Sequence, residues 1–299
     1  MEEAMFTDMM GNVRYKLGLH LHTTRSDGRR EPSAVIAEYR EAGYDAIALT
    51  DHWLWNPAGE LDGMKIISGA EYNIGASDPC DGFGVYHIVA LGCDHRPEIQ
   101  PANEPAAVAK AIHEAGGIAV LAHPAWSLND PAVVAAQPYF DATEIFNTVS
   151  GVHFSFRPDS SAFCDLLACR GMTLPLLATD DAHYYDGQDD AVSFVCVRAE
   201  SGAQSELIDA IKRGDFYASQ GPELHLSRDG NRFILDCSPA REILFITNLS
   251  WSHGRAVRGS DLTHAEYELS VGQGRNDRFV RAEITGMDGK KAWSNYIKV

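Results

Sequence analysis

The chain has 299 residues, 45% of them hydrophobic, enough for one large folded unit or for a large one with a small companion. It carries 25 Lys and Arg against 42 Asp and Glu, a formal net charge of −17, which argues against a nucleic-acid polymer as partner because a phosphate backbone asks for clustered cations. There is no apolar run of about 18 residues to span a membrane, the acidic start Met1-Glu2-Glu3 lacks a signal peptide's basic and apolar regions, and six cysteines without a Cys-x-x-Cys pair read as reduced thiols of a cytoplasmic protein.

The first predicted strand, 15–19, runs into His20-Leu21-His22, and alternation along a strand puts both imidazoles on one face with Asp27 following in the loop. Pro32, apolar residues at helical spacing and Gly43 predict a helix over 31–43. A buried strand over 45–50 then ends in Asp51-His52, a strand over 65–71 ends in Glu71, and a strand over 85–91 carries His87 inside it. A helix over 104–116 leads to the strand 118–122 and His123. The strand 141–147, the helix 160–170 and the strand 174–179 follow, the last running into Asp180-Asp181-Ala182-His183. A strand over 192–197 and a helix over 205–213 complete this α/β part, whose repeated βα units with polar strand ends suit a (β/α) barrel. From about Gln220 helical spacing stops. Alternating runs at 232–235, 243–246, 267–270 and 279–284, and a hairpin turn at Met287-Asp288-Gly289-Lys290 before 292–299, predict a β-rich unit over 223–299 beside a first unit over 1–222.

Nine ionisable residues thus gather at or near strand ends: His20, His22, Asp27, His52, Glu71, His87, His123, Asp181 and His183. Taken singly, each has a plainer role: a core histidine held by a hydrogen bond, an ion-pair partner, a turn cap of the kind Asp51 suits. Burying them together without partners would be costly, whereas divalent ions satisfy all of them at once.

In their order, His-x-His-Thr-x-x-Ser-Asp-Gly (20–28), Thr-Asp-His (50–52), Gly-x-Glu (69–71), His87, Ala-His-Pro (122–124) and Asp-x-His (181–183) resemble the PHP (polymerase and histidinol phosphatase) family over about residues 15–222. The resemblance implies a distorted seven-stranded (β/α) TIM-like barrel with a trinuclear metal site, and metal-dependent phosphoesterase activity. It implies His20, His22, Glu71 and Asp181 on one ion, Glu71, His87 and His123 on a second, and Asp27, His52 and His183 on a third. Asp181 is chosen over Asp180 because only it has the Asp-x-His spacing, leaving Asp180 as a supporting partner. The segment 214–222 and the β-rich tail are similar to a subgroup of bacterial PHP proteins.

Imidazole and carboxylate ligands without thiolate suit Zn, Fe or Mn, and paired ions holding a bridging hydroxide suit hydrolysis of a small phosphate ester: a phosphomonoester, a cyclic phosphate or a nucleoside phosphate. Arg25 and Arg157 are candidates for binding an anion, or are surface arginines; His153 is a leaving-group acid or a solvated loop residue. Trp53, Trp55 and Trp126 stand close behind ligand motifs and serve either ring stacking or core packing. Amide or carbamate hydrolysis at the same site, and a non-catalytic metal-binding interaction module, are the alternatives.

Overall fold

A computed structural model describes residues 6–76, 84–101, 103–137, 139–152, 156–270 and 276–299. The chain begins with β1 (Phe6–Thr7), β2 (Val13–Gly18), α1 (Pro32–Glu41), β3 (Ala46–Ala48), β4 (Gly59–Leu61), β5 (Met64–Ile67), β6 (Gly69–Gly75) and β7 (Val85–Leu91). It continues through α2 (Pro105–Glu114), β8 (Ile118–Leu121), α3 (Pro131–Ala135), β9 (Ala142–Asn147), α4 (Ser161–Cys169) and β10 (Leu176–Thr179). Next come β11 (Phe194–Val197), α5 (Gln204–Arg213) and β12 (Phe216–Ser219). The remainder forms strands: β13 (Leu224–Asp229), β14 (Arg232–Thr247), β15 (Ala256–Glu268), β16 (Phe279–Gly286), β17 (Lys291–Ser294) and β18 (Ile297–Lys298).

Helices α1, α2, α4 and α5 lie where periodicity placed them, for local reasons, while the short α3 was not foreseen. Proline opens α1 and α2, where its missing N–H has no intrahelical acceptor to lose. Helix α5 ends on Gly214 at φ 74°, a left-handed cap that glycine adopts without strain, with Lys212 and Arg213 in the last turn facing the negative end of the helix dipole.

The chain is mixed α/β, and its strands form two sheets that do not merge into one hydrogen-bonded barrel. One follows the order β13-β14-β16-β17-β12-β11-β2-β3-β5-β4, with β1 on β2, β15 on β14 and β18 on β16; the other is β10-β9-β8-β7-β6. Isolated bridges join them, Leu21 with Ala182 and His52 with Glu71. The parallel pattern expected from βα repeats holds for β2/β3/β5 and for β8/β9/β10. Strands β6 and β7 are instead antiparallel, because residues 76–84 are too few for the crossover that parallel neighbours need, about a dozen or more. The single strand expected at 65–71 divides at Ser68, whose N–H is bound by the Gln204 side chain of α5 (2.8 Å) and whose hydroxyl donates to the Cys93 carbonyl (2.7 Å). That corner sends β5 into one sheet and β6 into the other.

Two of the short carboxy-terminal runs prove to be one strand of 16 residues, β14, continuous through Pro239. The ladder to β15 shifts between Asp236 and Ala240, a bulge that removes the need for the N–H proline lacks. Strand β15 pairs only with β14, so its outer edge is unpaired among the described residues. Trp293 of β17 is fully buried in the same core as Leu17, Leu19, Val120 and Leu177, and stacks on Phe146 with ring centroids 5.4 Å apart. A second core, around Phe233, Phe245, Tyr267 and Ile284, also takes in Cys196 of β11 and Tyr217 of β12.

Candidate metal centre

The backbone brings the strand ends together before any side chain is considered. Asp181 N–H donates to the His20 carbonyl (2.9 Å) and His22 N–H to the Ala182 carbonyl (3.0 Å), tying the end of β2 to the end of β10. Thr50 N–H donates to the Leu21 carbonyl (2.8 Å), Trp53 N–H to the Glu71 carbonyl (2.9 Å), and Ala122 N–H to the His87 carbonyl (3.0 Å). Each contact joins neighbouring strand ends, so six short motifs far apart in sequence arrive at one place. The glycines of two motifs are sterically required: a Cβ on Gly28 would collide with the His22 carbonyl, and one on Gly69 would lie 2.9 Å from the Leu49 carbonyl oxygen. Asp181 (φ 52°) and His123 (φ 27°) are left-handed non-glycine residues, a strained conformation characteristic of functional positions.

The side chains converge on Glu71, which is 1% exposed. Its Oε2 lies 3.2 Å from His20 Nε2, 3.0 Å from His22 Nε2 and 3.4 Å from His52 Nδ1. Its Oε1 lies 2.7 Å from His87 Nδ1 and 3.5 Å from His123 Nε2. Asp181 Oδ1 is 3.1 Å from both His20 Nε2 and His22 Nε2, and its Oδ2 is 3.7 Å from His123 Nε2. At the outer side, Asp27 Oδ2 is 3.5 Å from His183 Nε2 and 3.7 Å from His52 Nε2, while its Oδ1 is 3.3 Å from His22 Nδ1. All nine residues singled out by spacing therefore meet.

At this centre three sets of donors each have their ligand atoms within 4.8 Å of one another: His20, His22, Glu71 and Asp181; His52, Glu71 and His87; and His22, Asp27, His52 and His183. The first is the expected set. The second has His52 where His123 was expected, and the third adds His22.

These donors fit metal ions. His20 Nε2, His22 Nε2, His52 Nδ1 and Asp181 Oδ1 are buried without a hydrogen-bond partner, an arrangement too costly to persist unsatisfied. A coordination shell with bonds of about 2.1 Å has donor–donor edges of roughly 3.0–3.4 Å, the spacing of the His20, His22, Glu71 and Asp181 atoms. Electrostatics agree. Burial disfavours a charged His20, yet the carboxylates of Asp181, Glu71 and Glu144 outweigh it and hold its pKa well above the ordinary value. His22 behaves likewise under Asp181, Asp27 and Glu71, whereas burial wins at His52 and lowers it. Against their own burial, Glu71 is held low chiefly by His20 and Asp181 by His20 and His22. The pocket demands positive charge.

Sequence spacing missed one residue that orients this cluster. Glu144, 1% exposed in β9, accepts from His20 Nδ1 (2.7 Å), His123 N–H (2.8 Å), the Thr179 hydroxyl (2.7 Å) and Asn147 Nδ2 (2.8 Å). It fixes the His20 ring so that Nε2 faces the centre. Its one signal in the sequence is a carboxylate inside an otherwise weakly polar strand. Asp51 holds the loop of the first motif, accepting from Thr23 N–H (2.8 Å) and the Ser26 hydroxyl (2.9 Å). Asp189, fully buried, accepts the N–H groups of His183, Tyr184 and Tyr185 at 2.7–2.8 Å. Asp180 turns away from the cluster to the Tyr39 hydroxyl (2.7 Å) and Ser193 N–H (2.7 Å); burial pushes it up to about 7 despite those donors.

The cluster floors a cavity of about 300 Å³ walled by Trp126, Val149, Ser150, Val152 and Tyr184. Trp126 sets its edge against His87 and His123, with centroids 5.5 and 5.0 Å apart. Of the other tryptophans, Trp53 binds Asn73 Oδ1 (2.7 Å) and Trp55 packs against the core; neither lines the cavity. Arg25 is exposed and bonded to Asn56, and Arg157 is exposed with its N–H on the Ser150 carbonyl (2.8 Å). Neither guanidinium lines the cavity. His153 lies outside the described residues.

No family model matches the chain, and no curated protein does. Among solved structures, it is similar to a two-domain protein from Bacteroides vulgatus containing a predicted PHP-like metal-dependent phosphoesterase, at 14% identity and a TM-score of 0.56, covering 100% of this chain and 98% of that one. It is similar also to a lesion-specific endonuclease, endonuclease Q from Pyrococcus furiosus, at 16% identity and a TM-score of 0.47, over 67% of this chain and 56% of that one. A further match, at 15% identity and a TM-score of 0.47 over 67% and 57%, is endonuclease Q in complex with a 27-mer duplex bearing an abasic lesion. The acidic balance is nevertheless no ground for excluding a nucleic-acid polymer, contrary to the expectation from sequence. Net charge sums over a whole surface, the ligand carboxylates included, and does not describe the field at one cavity that metal ions occupy. No helix among the described residues is long and apolar enough to cross a membrane. In fold, then, the chain is similar to a protein containing a predicted PHP-like phosphoesterase, the resemblance that the order of its motifs implies.

Proposed function

We propose that the chain is a metal-dependent hydrolase of phosphate esters, with its chemistry in the distorted barrel over residues 1–222 and the β-rich unit over 223–299 as a buttress. The observation that carries this reading is the set of three ring nitrogens and the Asp181 Oδ1, buried without hydrogen-bond partners around Glu71. His20, His22, Glu71 and Asp181 hold one ion; Glu71, His87 and His123, with His52 beside them, hold a second; Asp27, His52 and His183 hold a third. Imidazole with carboxylate suits Zn, Fe or Mn. Ions of this kind supply Lewis acidity and water activation at neutral pH.

The protein's own residues do the rest. Glu71 presents one oxygen to each side of the centre, so it sets the spacing of the two inner sites. Glu144 keeps the His20 tautomer fixed with Nδ1–H outward and Nε2 inward. Trp126, Val149 and Val152 make a low-dielectric wall that strengthens interactions with charge developing on the phosphoryl oxygens. Arg25 and Arg157, neither of which lines the cavity, and His153, outside the described residues, are proposed contacts for the substrate.

The test is a panel of phosphomonoesters and phosphodiesters given to protein reconstituted with Mn or Zn. Phosphate release that a chelator stops, and that His123→Ala abolishes without loss of fold by circular dichroism, is the expected result. Undiminished turnover in that variant would sink the cluster. A second reading, hydrolysis of an amide or carbamate, draws support from one observation: no lysine or arginine lines the cavity among the described residues, so anchoring of a phosphoryl group would fall to the ions. Turnover of carbonyl substrates with none of the esters would favour it.

A further inference from the structure

A second cavity, of about 450 Å³, lies at the opposite ends of the strands that carry the cluster. Arg14, in β2, precedes His20 by six positions, and Thr173, Leu174 and Pro175 lead into β10 ahead of Asp181. At about 3.3 Å per residue the two cavities are roughly 20 Å apart. The last turn of α5, the start of β12, strand β13 and residues 294–298 complete its wall.

Its charge is reversed relative to the molecule. Arg14, Arg198, Lys212, Arg213 and Lys298 line it, against a single carboxylate, Asp215. Arg14 is spent on Asp8, beneath the wall, and its guanidinium lies over the Tyr217 ring. Asp215 is shared by two guanidinium groups, Arg213 at 2.9 Å and Arg198 at 3.8 Å. Lys212 and Lys298 have no ion-pair partner among the described residues and are exposed. Complementing the dipole of α5 accounts for Lys212 and Arg213; it does not account for Arg198 or Lys298, which come from other elements to the same rim. In a chain of net charge −17, four cations from three elements around one carboxylate mark a local exception. The floor differs from the rim: Leu174, Leu224, Leu226 and Ile297 supply an apolar surface.

We propose that this cavity binds a small organic diphosphate, its phosphates on Arg198, Lys212 and Lys298 and its apolar or aromatic body on the leucine and isoleucine floor. Cationic rim and apolar floor together select an anion with a carbon body over a bare inorganic ion. The site is separate from the metal centre and does not depend on the reaction proposed there.

Lysine reactivity tests it on the full, metal-loaded chain. An amine-labelling reagent is applied with methylenediphosphonate or α,β-methylene-ADP, whose P–C–P bridges cannot be hydrolysed, and each lysine is read by mass spectrometry. At about ten times its Kd, either probe slows labelling of Lys212 and Lys298 about tenfold. Lys110, 74% exposed and distant in sequence, is unchanged. The ADP analogue protects at lower concentration than methylenediphosphonate. Arg198→Ala weakens protection about tenfold, the worth of a hydrogen bond between charged groups, while His20→Ala leaves it intact. Equal labelling with and without both probes overturns the proposal. So does protection that disappears in His20→Ala and survives in Arg198→Ala, because the anion then sits at the metal cluster.

Discussion

Glu144 contributes to the metal centre without facing its interior. It holds His20, His123 N–H and Thr179 at once, so Glu144→Gln, which keeps shape but removes charge, is expected to lower metal affinity about 10- to 100-fold. Competition with a chromophoric chelator measures this, and unchanged affinity would show that ring orientation does not depend on it. A second residue gives a pH signature away from the centre. Burial and the neighbouring Asp190 push Glu38 up to about 7, with Arg30 opposing. Between its unfolded value near 4.5 and about 7, the folded chain binds more protons than the unfolded one, so this group's contribution is full at low pH and fades as pH rises through 7. Glu38→Gln should therefore gain stability relative to the parent at pH 8 compared with pH 5. Thermal melts at both values check the sign; a parallel offset would refute it.

At the scale of elements, what was legible depended on distance in sequence. His20 and His22 sit two apart just past the end of β2, and Asp181 and His183 two apart just past β10, so local spacing exposed them. Glu144 lies 124 positions from His20, and its one near partner in sequence, Asn147, belongs to no ligand motif, so no spacing rule finds it. The antiparallel pairing of β6 and β7 follows from a connection whose shortness was visible, yet the βα rhythm around it suggested otherwise. The bulge at Pro239 hid the continuity of β14, since proline usually ends a strand. Arg281 of β16 gave no sign of its role. It is 1% exposed and holds both oxygens of Asp165 in α4 at 2.8 Å. Removing one partner of a buried pair leaves a charge uncompensated, so Arg281→Met is expected to cost about 3–5 kcal/mol. Urea unfolding tests this, and a loss near zero would mean water replaces the contact.

At the scale of the molecule, the β-rich part and the α/β part share structure. Trp293 packs in the core of the amino-terminal strands, and Asn295 binds Leu176 N–H (2.7 Å) and the carbonyls of Gly214 (3.0 Å) and Phe216 (2.8 Å). Trp293→Ala should cost about 3–5 kcal/mol and lower the melting of the whole chain in one transition. A melt in which only part of the signal shifts would show two independent units. The outer edge of β15 has a consequence of a different kind. An open strand of 13 residues is a template on which another chain can add, the first step toward aggregates. Along that strand stand Arg258, Asp261, His264, Glu266 and Glu268. An incoming strand would have to strip water from these charges, several of them already paired with β14, so this long open edge resists the addition that its backbone invites.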